Sequence, residues 1–193
     1  VAVGQVQGEA ARTIDATGLV VSPGFIDLHA HSDMSFLVDP LADSKLRQGV
    51  TLELVGNCGM SFCAPLNDKT LGSFRSWAKR SNPDLEPTWT DFAGYVSALE
   101  QAGSVINVAT QVGHNQIRSF VMGDVARAPS ADELLEMERN VVEALDAGAM
   151  GLSTGLYFAP GSYSLTDEVI SLTRPVAERD KLYSSHMRSE SDE

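Results

Sequence analysis

Phe25-Ile26-Asp27-Leu28-His29-Ala30-His31-Ser32-Asp33 is the stretch whose reading decides the fold. Val20 to Ile26 is mostly apolar and β-branched, interrupted by Ser22-Pro23-Gly24. It reads as a short strand, a tight turn and a second strand running into His29. Residues two apart on a strand share a face, so His29 and His31 project side by side, about 7 Å apart by the strand rise. Two neutral imidazoles held that way can bind one metal ion, zinc above all. The pair alone is equally consistent with two histidines that happen to sit near a strand end.

The 193 residues, 43% of them hydrophobic, suffice for a sizeable core. A net charge of −12 argues against a nucleic-acid partner, which needs a basic face. No run of about 18 apolar residues signals a membrane span. Two cysteines, Cys58 and Cys63, are too few for a disulfide scaffold and point to a reduced, cytoplasmic setting.

Before residue 25, short strands are expected over Val1–Val6, Arg12–Asp15 and Leu19–Val21, too little to bury itself and so part of a small sheet domain. After it, strand and helix alternate. A helix over Pro40–Gln48 is expected, with Asp39 as cap and Gly49 closing it. The second strand is Val50–Val55, followed by the loop Gly56-Asn57-Cys58-Gly59-Met60. A polar insertion with a helix near Leu71–Lys79 precedes a helix from Thr90 to Gln101. The third strand, Val105–Val112, delivers His114. Ser130-Ala131-Asp132-Glu133 has capping-box spacing and opens a helix to Ala147, with Leu134, Met137, Val141 and Leu145 as its apolar stripe. Ala149–Thr154 is the fourth strand, Thr166–Arg179 a helix interrupted by Pro175, and Leu182–Ser185 the fifth strand, ending at His186. The repeat predicts a parallel α/β architecture. No Gly-x-Gly-x-x-Gly follows the first strand, and a (β/α)8 TIM-type barrel takes about 250 residues. Residues 23–193 therefore read as the first five strands of such a barrel, and the sequence as a piece cut at both ends.

All four histidines lie at strand ends, and Cys58 follows the second strand. In a parallel barrel those ends share one rim, where active sites form. Cys58 lies between Asn57 and Gly59, and as a thiolate it can bind zinc at about 2.3 Å, whereas the plain alternative is a small buried hydrophobe. Cys63 lacks the strand-end placement and is read as structural. His114 suits a tight turn, a group that orients a ligand, or a substrate-facing group. Asp27 has the strand parity of His29 and can orient it or simply accept a hydrogen bond.

Ser22 to Asp33 resembles the opening signature of the amidohydrolase superfamily. Further stretches resemble its N-acyl-D-amino-acid deacylase branch. These are Gly49-Val50-Thr51, Gly56-Asn57-Cys58-Gly59, Val112-Gly113-His114-Asn115, Gly148 to Leu156 and His186-Met187-Arg188-Ser189-Glu190. The resemblance implies a small β-sandwich, to which residues 1–22 would belong, beside a metal-containing barrel. It implies His29, His31, Cys58 and His186 as zinc ligands, with one tight site at Cys58 and His186 and a second, weaker one completed by His29 and His31. The implied reaction is hydrolysis of the amide bond of an N-acyl-D-amino acid by metal-activated water, releasing a D-amino acid and a carboxylate. Cyclic amides and D-amino-acid dipeptides are alternative substrates, and an inactive metal-binding piece is an alternative state. The proton-transferring aspartate and the cations that hold the substrate carboxylate are expected beyond Glu193. One departure stands out: Phe158 takes the place of a tyrosine of the branch, with Tyr157 beside it. Tyr157 and His114 are the expected substrate contacts.

Overall fold

Val50–Val55 forms the strand that its β-branched run predicts, here β2, and the other strands are ordered around it. In the computed structural model, which describes Gly4, residues 8–80 and residues 82–191, β1 (Phe25–Asp27) pairs parallel with β2. On the other side β2 pairs parallel with β3 (Asn107–Thr110). A second parallel sheet follows in the order β4 (Val112–Gly113), β5 (Gly151–Gly155), β6 (Leu182–His186). Only Gln111 separates β3 from β4. The two sheets are thus halves of one run of five parallel staves, with the third stave broken at Gln111. Its backbone N–H donates to Val55 O at 3.0 Å, and Met150 N donates to Thr110 O at 2.8 Å, which ties the break to both neighbours. This is the partial TIM-type barrel that the alternation predicts.

The helices are α1 (Ser35–Val38), α2 (Asp43–Leu46), α3 (Leu71–Ala78), α4 (Phe92–Ala102), α5 (His114–Met122), α6 (Ala131–Asp146) and α7 (Thr166–Glu178). The Asp91 side chain, not that of Thr90, caps α4 by accepting from Gly94 N at 2.7 Å, and Gly103 ends it in the left-handed region at φ 71°. Ser130 and Glu133 close the expected capping box on α6. Met137, Val141 and Leu145 then pack with Leu152 of β5 and with Leu172 and Val176 of α7 in the main core. α7 continues through Pro175.

Four expectations are corrected. Residues 40–48 are not one helix. The Pro40 carbonyl, which a helix would give to residue 44, accepts from Val105 N at 3.0 Å, and within that stretch only Asp43–Leu46 (α2) is helical. The third strand is interrupted. Among the described residues 8–24 there is no strand, and Leu19, Val20 and Val21 are 72%, 94% and 82% exposed; the strand expected over Val1–Val6 lies, apart from Gly4, outside the described residues. Finally, His114 does not sit in a turn but opens α5. No helix among the described residues is long and apolar enough to cross a membrane.

Candidate metal centre

His29 and His31 lie just past β1, on chain that continues along β2. Ala30 N donates to Leu54 O at 3.1 Å, and Asp27 Oδ1 accepts from His29 N at 3.1 Å. Asp27 is held in turn by Lys45 Nζ at 2.7 Å, which also reaches the fully buried Glu53 at 2.9 Å. Those contacts hold the Asp27 carboxyl below the usual carboxylate range, the Lys45 hydrogen bond first and the His29 N–H second. The two imidazoles stand edge to face with centroids 5.3 Å apart.

Cys58 comes to them from the loop after β2. Its backbone adopts φ 55°, between Gly56 at φ 75° and Gly59 at φ 73°. This run of left-handed residues turns the chain sharply enough to aim Sγ back across the strand ends. The loop is clamped from beneath: Ser153 Oγ accepts from Gly59 N at 2.9 Å and donates to Gly56 O, and Gln116 N donates to Gly59 O at 3.2 Å. The result is convergence. Ligand atoms of His29, His31 and Cys58 all lie within 4.8 Å of one another. Cys58 Sγ is 3.3 Å from His29 Nε2 and 3.8 Å from His186 Nδ1 at the end of β6.

These separations suit a shared ion. A sulfur at about 2.3 Å and a nitrogen at about 2.0 Å in a tetrahedral site stand roughly 3.5 Å apart. Burial, and then the charge of His29, lowers the His31 pKa and favours the neutral ligating form. Burial pushes the Cys58 thiol up, so a bound cation is what would bring out its thiolate.

The other ring nitrogen of His186, Nε2, meets Glu190 Oε1 at 3.1 Å. This carboxylate, four residues past His186, can fix the tautomer. Tyr157 stands 59% exposed beside His186, ring centroids 5.7 Å apart, and the Phe158 ring is 4.8 Å away. His114 is not brought to the rim. It is 0% exposed, and its Nε2 meets Glu168 Oε1 at 2.8 Å within a buried trio completed by Arg118. Cys63 is fully buried, with its thiol pushed well above the ordinary value by burial. A cavity of about 100 Å³ opens beside His31 between Asp33, Met60, Phe62, Trp77 and Arg80. In its wall Phe62 stacks on Trp77, and the Arg80 guanidinium lies 4.6 Å from the Trp77 ring centroid.

The amidohydrolase family pattern matches residues 12–181. The chain belongs to the amidohydrolase family. It is 42% identical over 184 residues to an N-acyl-D-glutamate deacylase of Alcaligenes xylosoxydans xylosoxydans, covering 95% of this chain and 36% of that protein. A D-aminoacylase structure, determined in work on the role of its binuclear metal centre, superposes with a TM-score of 0.85 at 36% identity over 95% of this chain and 38% of that one. An N-acyl-D-glutamate deacylase from Bordetella bronchiseptica, complexed with zinc and a phosphonate mimic of the tetrahedral intermediate, gives 0.77 at 40% identity over 88% of this chain and 35% of that one. This amidohydrolase chain therefore spans little more than a third of the length of the relatives it matches.

Proposed function

We propose that the protein hydrolyses the amide bond of N-acyl-D-amino acids, yielding a D-amino acid and a carboxylate, with zinc held by His29, His31, Cys58 and His186. The observation that carries this reading is the position of Cys58 Sγ, 3.3 Å from His29 Nε2 and 3.8 Å from His186 Nδ1. That geometry occurs in a chain 42% identical to an N-acyl-D-glutamate deacylase. Zinc in such a site supplies Lewis acidity, which lowers the pKa of a water and polarises an amide carbonyl.

The chain's own residues divide the remaining tasks. Cys58 and His186 offer the softer donor pair and form the tighter site, while His29 and His31 complete a second, weaker one. Glu190 holds the His186 ring. Tyr157, exposed beside His186, contributes a hydroxyl to the substrate side. The cavity beside His31, with an aromatic wall and one guanidinium, takes part of the substrate. Residues 23–193 are the barrel portion, and residues 1–22 belong to an accompanying β-sandwich. Both cysteines are free, which suits a reduced compartment, and we place the protein in the cytoplasm.

The test, made on the whole protein that contains these residues, is zinc analysis together with hydrolysis of paired N-acyl-D- and N-acyl-L-amino acids. Bound zinc with D-selective turnover is expected, as is loss of the tightly held zinc and nearly all activity in Cys58→Ala. L-selective turnover, or full zinc retention in that variant, would refute the substrate class or the ligand set respectively.

A further inference from the structure

The break in the third stave places a fully buried glutamine beneath the ligand cluster. Gln111 is 0% exposed. Its Nε2 donates to Asn57 Oδ1 at 3.0 Å, and its Oε1 accepts from Ser184 Oγ at 3.1 Å. Asn57 is the residue before Cys58. Its Nδ2 is committed to two carbonyls, Leu54 O at 2.8 Å and Ala30 O at 3.2 Å, so its Oδ1 must face a donor. Ala30 stands between His29 and His31. Ser184 precedes His186 by two residues on β6 and shares its face. Two side-chain amides in series, Asn57 and Gln111, thus join the three segments that carry His29 and His31, Cys58, and His186. The approach is close as well: a Cβ on Gly56 would lie 2.1 Å from Gln111 O, so the cysteine loop can rest on Gln111 only with glycine there.

We propose that Gln111 is a positioning residue for the metal centre, setting the separation of the Cys58 arm from the His186 arm. The proposal rests on the zinc site described above. No backbone ladder joins β2 to β6 directly, because they belong to different sheets. The crossbar Ala30–Asn57–Gln111–Ser184 supplies that connection through side chains. Replacing Gln111 by methionine keeps most of the volume but leaves Asn57 Oδ1 without a donor in a buried site. The Asn57 side of the Cys58 loop then loses its tie to β6, while Ser153 still holds the loop at Gly56 and Gly59. Loss of such supporting contacts typically weakens metal binding about 10- to 100-fold.

The experiment measures zinc affinity by chelator competition and the thiolate-to-cobalt charge-transfer band of the cobalt(II)-loaded protein. Circular dichroism confirms that each variant is folded. Gln111→Met is expected to bind zinc about 10- to 100-fold more weakly, with a diminished thiolate–cobalt band. Ser184→Ala, which removes only the His186 side of the crossbar, is expected to lose affinity several-fold while keeping the band. Zinc affinity within two-fold of wild type in folded Gln111→Met, or in Ser184→Ala should the first not fold, overturns the proposal. Failure of the wild type itself to take up zinc would instead refute the metal centre, and this role with it.

Discussion

Gly155 shows how little room the centre leaves. A Cβ there would lie 2.0 Å from the Cys58 carbonyl oxygen, and Gly155 is also the register partner of His186. One methyl group at this point must push the cysteine loop off β5 or strain β6. Gly155→Ala is therefore expected to weaken zinc binding by about 10-fold or more, by analogy with the loss of other supporting contacts, as read by chelator competition. An unchanged affinity would mean that the loop moves freely and that its position is not fixed from below. The buried trio makes a second demand at this scale. Glu168 is the only carboxylate paired with Arg118 among the described residues, and both side chains are almost fully buried. Glu168→Gln leaves a guanidinium in the interior without its counter-charge and is expected to destabilise the fold by about 3–5 kcal/mol in urea unfolding. That the side chains of His29, His31, Cys58 and His186 approach one another was legible in the sequence because strand-end residues of a parallel array share a rim. His114 satisfies the same rule yet turns the other way. Being the first residue of α5, it faces the helix layer, and its partner Glu168 lies 54 positions on, where no local pattern points to it.

Among the elements, α6 was legible to within a residue because its capping box and apolar stripe are local. The two halves of that box are separately testable. Ser130→Ala removes the acceptor for Glu133 N and is expected to cost about 1 kcal/mol. The Glu133 carboxylate, gripped first by Arg127 and then by Ser130 N–H, is held down to about 2 from 4.5. A depressed carboxyl adds stability that is fully present above the unfolded value and lost as pH falls through the folded one. The protein should therefore lose stability from about pH 4.5 towards 2 through this group, and Glu133→Gln should flatten that part of the profile. Equal acid sensitivity in the variant would show the interaction to be negligible. α5 escaped detection for the opposite reason. His114, Asn115, Gln116 and Arg118 are polar yet buried, so polarity reads as loop. Each finds a distant partner instead: Asn115 at Gly155 O, Gln116 at Pro65 O, Arg118 at Arg127 O. The shortening of the helix expected over residues 40–48 was equally hidden, since it depends on Val105 reaching the Pro40 carbonyl.

At the scale of the whole molecule, the alternation of strand and helix was enough to order five parallel staves, but the β-prone run Val105–Val112, with polar residues at Asn107, Thr110 and Gln111, gave no sign of which one would part the third. That parting would make an ion held by the proposed ligands a structural element as well as a reagent. Those residues come from the end of β1, the loop after β2 and the end of β6, so a zinc bound by them would bridge the two sheets from the first stave to the last. Both outermost strands expose apolar side chains: Phe25 and Ile26 of β1 are 62% and 58% exposed, and Leu182 and Tyr183 of β6 are 49% and 45% exposed. Beyond its single sheet partner, β1 is held by the Lys45–Asp27 pair, and β6 is held by packing against α7. Anything that binds the folded state alone stabilises it, by about 2.7 kcal/mol at a free concentration 100 times Kd. For a chain of this size each kcal/mol moves Tm by about 2–4 °C, so saturating zinc should raise Tm by about 5–11 °C and chelation should reverse the shift. Cys58→Ala should lose most of that increment, because Cys58 Sγ lies within 4 Å of both His29 and His186. A zinc-dependent rise of the same size in Cys58→Ala would place the stabilising ion on other ligands and leave the bridge between the sheets without its central atom.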